Sequence, residues 1–78
     1  MSMNLGRLTD VFRDVFDNSD LEISPDTVIK DIQGWDSLVH VTLMAAVQDE
    51  FGIRYSVDDI VKMKTAGDIL DFIDGRRS

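Results

Sequence analysis

Apolar side chains recur with helical spacing at Leu5, Leu8, Val11, Phe12 and Phe16, and then the pattern stops until Ser37. A chain that leaves residues 17–36 without a regular period must fold that stretch against helices on either side of it. This predicts an all-α fold with a long loop between its first two helices. Arg7, Asp10, Arg13 and Asp14 fall on the opposite, water-facing side of a first helix over 3–16. Asp17-Asn18-Ser19-Asp20 ends that helix, because these side chains compete for the backbone. Ile23-Ser24-Pro25-Asp26 reads as a turn, and Val28, Ile29 and Ile32 are expected to pin the loop to the core through one short helical turn.

The remaining elements follow from their caps. A second helix is expected from Ser37 to about Glu50, with Asp36 as N-cap and Gly52 just past its end. Leu38, Val41, Ala45 and Gln48 lie along one line of it; Leu43, Val47 and Phe51 extend the buried face, with Phe51 near the centre of the core and Met44 at its edge. Residues 57–63 form a brief third helix. Thr65 caps a fourth, whose apolar set is Ala66, Ile69, Leu70, Phe72 and Ile73 and which Gly75 should end. The expectation is a four-helix bundle of three main helices and one short one, a single domain over 1–78.

With 78 residues and no cysteine, no disulfide staples the core and no thiolate is available to a metal. That composition suits a reducing cytoplasm. The net charge of -7 opposes binding to nucleic acid phosphates or anionic lipid and favours partners with basic patches. No apolar run reaches membrane-span length, so no membrane insertion is expected, and a monomer is the simplest state. The acidic residues Asp17, Asp20, Glu22 and Asp26 fail as a calcium loop, since the sixth and twelfth positions counted from Asp17 are Glu22 and Val28 rather than Gly and Glu. One His and no Cys leave no expected metal site.

Chemistry concentrates in Gly34-Trp35-Asp36-Ser37-Leu38. Ser37 is placed at the exposed start of a helix, where unpaired N–H groups and the positive dipole end favour a phosphodiester. It is no hydrolase nucleophile, because a single His with no orienting partner cannot supply the base. An enzyme is therefore not expected.

That pentapeptide, followed by Leu43, Phe51-Gly52-Ile53 and a closing helix after Thr65, resembles the acyl carrier protein family, over nearly the whole chain. The resemblance implies that Ser37 is modified with 4′-phosphopantetheine by a phosphopantetheinyl transferase. It further implies an acyl or aminoacyl thioester on the arm, a loading ligase or acyltransferase, and a downstream synthase or transferase. Asp36 then helps present Ser37 to the transferase besides capping the helix. Three roles are open to His40, three residues after Ser37: a hydrogen bond to the phosphodiester, a contact with a partner, or a plain helix position. Trp35 covers the helix start and, with Val39, Val41 and Thr42, is a candidate for partner binding. Leu43, Val47, Phe51, Met63 and Leu70 are core residues that can also line a cargo cavity in this family.

Fatty-acid-synthesis carriers place a carboxylate soon after the Leu of the motif, whereas Val39-His40-Val41-Thr42 follows here. Trp35 and His40 are more similar to stand-alone carriers of specialised pathways: polyketide, nonribosomal peptide or cell-surface polysaccharide decoration. The rival expectation is a small helical interaction module that docks through its second helix and is never modified.

Overall fold

The computed structural model describes residues 3–77. In chain order it contains α1 (Met3–Val15), a 3₁₀ turn (Ile29–Asp31), α2 (Ser37–Phe51), α3 (Val57–Lys62) and α4 (Ala66–Arg77). Among the described residues the only β pairing is an isolated antiparallel bridge, Val28 with Thr65. The fold is all-α, with three main helices, one short helix and the expected long first loop.

α1 buries Leu8, Val11 and Phe12, packs mainly on α2 and touches α4. It ends one residue earlier than expected. Asp17 adopts the left-handed conformation (φ 52°), and the Asn18 N–H reaches back to the Arg13 carbonyl at 3.0 Å. Phe16 thus lies outside the helix and stacks on Phe12, centroids 5.9 Å apart. Arg13 was expected to face water. Instead its Nε–H donates to the Leu21 carbonyl at 2.7 Å and ties the loop to the helix it leaves.

α2 starts and stops as its caps dictate. The Asp36 carboxylate accepts the Val39 N–H, and Gly52 sits at φ 65° with its N–H on the Gln48 carbonyl. Its buried face differs from the sequence expectation. Leu43, Met44 and Val47 are buried, whereas Leu38 and Val41 are 74% and 64% exposed. Met44 is a core residue, not an edge one. The helix is apolar nearly all round, so its own pattern could not choose a face; packing against α1 chose it. Phe51 is likewise displaced from the centre. It is half-buried, with the Arg7 guanidinium 4.5 Å above its ring. Arg7 also donates to the Glu50 carbonyl at 2.8 Å and pairs with its carboxylate at 3.1 Å, clamping α1 to the end of α2.

Reciprocal side-chain caps start the last two helices. Ser56 and Asp59 form one capping box. In the other, Thr65 Oγ1 accepts the Asp68 N–H, while Asp68 Oδ2 accepts the N–H groups of Lys64 (2.9 Å) and Thr65 (3.1 Å). The Lys64 N–H, followed by the Thr65 bonds, holds the Asp68 carboxyl below its ordinary range. A depressed folded value means that this support is present above the ordinary carboxylate range and is lost as pH falls through the lowered value. The next N–H groups of α4 go to the loop: Ala66 to the Thr27 carbonyl and Gly67 to the Pro25 carbonyl, both at 2.9 Å. A Cβ at position 67 would lie 2.6 Å from that Pro25 oxygen, so only glycine allows the approach. Gly75 does not end α4, whose backbone continues to Arg77.

The largest fully buried side chains include Phe12, Leu8, Ile29, Leu43, Met44, Ile69 and Ile73, with Phe12 drawn from α1 and Ile29 from the loop. Phe12→Ala should therefore cost about 3–5 kcal/mol. Phe51→Ala should cost clearly less, because its ring is already half in water. Urea unfolding of the two variants checks this; equal losses would return Phe51 to the core centre.

Candidate functional site

The site grows out of the junction between the long loop and α2. A 3₁₀ turn at Ile29–Asp31 brings the chain back to the bundle, with Ile29 buried and its N–H on the Lys64 carbonyl at 3.0 Å. Trp35 follows, its N–H on the Ile32 carbonyl at 3.0 Å. Asp36 is extended (φ -152°) and turns the chain into α2, where its Oδ1 takes the Val39 N–H at 2.8 Å. Ser37 is the first helical residue and is exposed. An exposed hydroxyl on the first turn of a capped helix can enter a transferase active site and accept a phosphoryl substituent, whose charge the helix N-terminus favours. The residues present therefore fit a phosphate-linked arm.

Trp35 and His40 flank this serine and meet each other. The indole N–H donates to His40 Nδ1 at 3.3 Å, and the rings make an edge contact with centroids 5.9 Å apart. An indole nitrogen can only donate, so Nδ1 is the acceptor, and in the neutral imidazole the proton sits on Nε2. His40 thus stands half-buried against the Trp35 ring.

The pair borders a groove of about 500 Å³. Its apolar walls are Val28, Ile29, Trp35, Ile60, Val61 and Met63, and its polar positions are Lys30, His40, Lys64 and Thr65. Of the residues expected to line a cargo cavity, only Met63 borders this groove. Leu43, Val47 and Leu70 lie in the closed core, and Phe51 stands at the Arg7 clamp. The fold accounts for the difference: the groove opens where the loop is folded against α3, not between the main helices.

The candidate partner residues split by face. Leu38 and Val41 are strongly exposed, and Thr42 is exposed with its hydroxyl committed to the Leu38 carbonyl at 3.0 Å. Val39 is half-buried. Sequence reasoning missed Val57 and Val61 on α3, which are 77% and 67% exposed. The signal was present: they are one helical turn apart, and Val61 also borders the groove. Sequence reasoning also missed Lys30 and Lys64, which only the folded loop brings to one opening.

No described group of His, Asp or Glu is placed to hold a metal ion, and among the described residues no helix is long and apolar enough to cross a membrane.

Residues 6–73 match the family model described as "Phosphopantetheine attachment site". The acyl carrier protein of Micrococcus luteus is 30% identical over 57 residues, covering 73% of this chain and 70% of the relative. That of Acidothermus cellulolyticus is 29% identical over 66 residues, covering 85% and 79%. Among solved structures, the solution structure of holo acyl carrier protein from Geobacter metallireducens superposes with a TM-score of 0.83 at 34% identity, covering 91% of this chain and 82% of that one.

The cap and the carboxylate charge of Asp36 are separable. Asp36→Ala should lose about 0.5–2 kcal/mol of stability, whereas Asp36→Asn, an equally good cap, should stay within a few tenths of wild type. Thermal melts of both variants decide it; a large loss in Asn would mean that the charge, not the cap, holds the helix start.

Proposed function

The chain belongs to the phosphopantetheine-attachment family of acyl carrier proteins, and on that premise we propose that Ser37 bears the arm and that the cargo serves a specialised pathway. As a member of that family the chain is a carrier, not an enzyme, and its cofactor is covalent 4′-phosphopantetheine. When attached, the cofactor supplies a terminal thiol that holds an acyl group as a thioester. The protein's own residues present and protect. Asp36 fixes the first turn so that the Ser37 hydroxyl stays outside, and Trp35 and His40 wall a groove beside it. In the cargo-sheltering part of the proposal, that groove and Met63 take the place of the closed core.

One observation carries the specialised-pathway reading: the first turn of α2 holds no acidic residue, and Leu38 in that turn and Val41 just beyond it stand exposed. A partner that reads carboxylates at this position finds apolar surface. Long-range attraction from the net charge of -7 would still bring basic partners close, and final docking would rest on apolar contact. The partners we assign are a phosphopantetheinyl transferase, a loading ligase or acyltransferase, and a downstream synthase or transferase. A cytoplasmic monomer is the state in which we place the carrier.

Two experiments test this. Incubation with coenzyme A, magnesium and a broad-specificity transferase should add one phosphopantetheine by intact mass, and Ser37→Ala should take none while keeping its fold. Labelling of the Ala variant would move the attachment site elsewhere. Separately, the phosphopantetheine-bearing carrier, its thiol free, should accept malonyl slowly from a fatty-acid-synthesis acyltransferase. Val39→Asp with Thr42→Glu should speed transfer modestly at low salt, each exposed pair contributing roughly 0.2–1 kcal/mol. Fast wild-type transfer with no response to the double substitution would refute the specialised-pathway reading.

A further inference from the structure

One ring nitrogen of His40 is taken and the other is not. The Trp35 indole N–H occupies Nδ1 at 3.3 Å. That bond needs a lone pair on Nδ1, so it selects the tautomer with its proton on Nε2. The Nε2–H finds no acceptor among the described residues. It is not sealed off either: the buried side-chain atom left without a partner is the Tyr55 hydroxyl, not Nε2. A donor is thus held open to solvent, and the helix sets its place. His40 follows Ser37 by three residues on α2, a spacing that makes side chains neighbours with Cβ atoms about 5–6 Å apart. Helical side chains lean toward the N-terminus, over the residues three and four positions earlier, here Ser37 and Asp36. The indole precedes the helix and meets the imidazole from that same end. The Asp36 carboxylate is turned to the Val39 N–H at 2.8 Å and does not take the imidazole proton.

We propose that His40 Nε2–H donates to the phosphodiester that joins the arm to Ser37, and that Trp35 fixes the tautomer which makes His40 a donor there. The inference rests on the reading that Ser37 carries the arm. Polarity runs one way along the chain of bonds, from indole N–H to Nδ1 and from Nε2–H to a phosphate oxygen, so each bond strengthens the other. A neutral imidazole suffices, and no proton is transferred. The consequence is directional. Leu38 and His40 are about 200° apart around the helix. A phosphate drawn toward His40 leaves exposed Leu38 clear for a partner. The root of the arm then departs from a fixed place while its later bonds stay free to turn.

The test compares the full chain before and after attachment of unacylated phosphopantetheine, with intact mass confirming attachment. Nitrogen-edited NMR reads the imidazole tautomer, and phosphorus NMR reads the phosphodiester, both in mildly alkaline buffer where an imidazole is neutral. The wild type should show a bare Nδ1 and a protonated Nε2 in both forms. Attachment should slow exchange of the Nε2 proton with water by roughly tenfold, as a charge-assisted bond would. That measurement uses the unaltered protein and does not depend on how any variant folds. His40→Phe keeps an aromatic ring against Trp35 but removes the donor, and its phosphorus resonance should move away from the wild-type position. His40→Gln, which restores a side-chain N–H, should bring it most of the way back. Trp35→Phe should mix the two tautomers and move the resonance part of the way. Unchanged Nε2 exchange, a proton found on Nδ1, or coincident phosphorus resonances in wild type and His40→Phe overturns the proposal and leaves the carrier assignment standing. Failure of Ser37 to gain mass overturns both.

Discussion

Everything distinctive in this molecule depends on how the long loop is fastened to the start of α4. The first N–H groups of any helix have no partner within it and must find one. Here Ala66 and Gly67 find theirs in the loop, on the carbonyls of Thr27 and Pro25, and the Ile29 N–H returns the exchange to Lys64. The loop therefore satisfies the helix, and the helix orders the loop. Without that exchange, Ile29 would leave the core, Trp35 would lose its place, and the groove beside Ser37 would have no second wall. The arrangement tolerates no side chain at position 67, so a single glycine underlies the architecture of the site.

Local chemistry was legible in the sequence, and long-range geometry was not. Asp36, Gly52 and Thr65 act on atoms within a turn of themselves, so caps and boundaries followed from residue type and spacing. The position of Ser37 on an exposed first turn followed in the same way. The buried face of α2 did not, because Leu38, Val41, Leu43, Met44 and Val47 surround the helix, and only its neighbours decide which of them water sees. Arg7 and Arg13 read as solvated charges because Glu50, Phe51 and Leu21 are out of sight along the chain. The same limit hid the groove, which joins the 3₁₀ turn, α2 and α3 through contacts that no periodicity encodes.

The molecule separates two demands that a carrier must meet at once. Partners need a surface to hold, and cargo needs a place away from water. Exposed Leu38 and Val41 lie on the outer side of α2, while His40, between them in sequence, belongs to the groove wall. Neighbouring positions 40 and 41 thus face the groove and solvent, respectively. The Tyr55 hydroxyl is less settled. It is buried with no hydrogen-bond partner, and burial pushes its phenol above the ordinary range. An unsatisfied buried hydroxyl costs about 1–3 kcal/mol. The connector between α2 and α3 therefore carries that cost.

The Trp35–His40 contact has a practical side as well. Trp35 is the only tryptophan in the chain. Its ring forms part of the groove wall two positions before Ser37, with its N–H already engaged by an imidazole. Tryptophan emission from this protein thus originates at a single place, beside the point where an arm would join. The chain carries its own optical reporter, and the arrival, lodging and departure of a cargo can be followed by intensity and wavelength with no label attached.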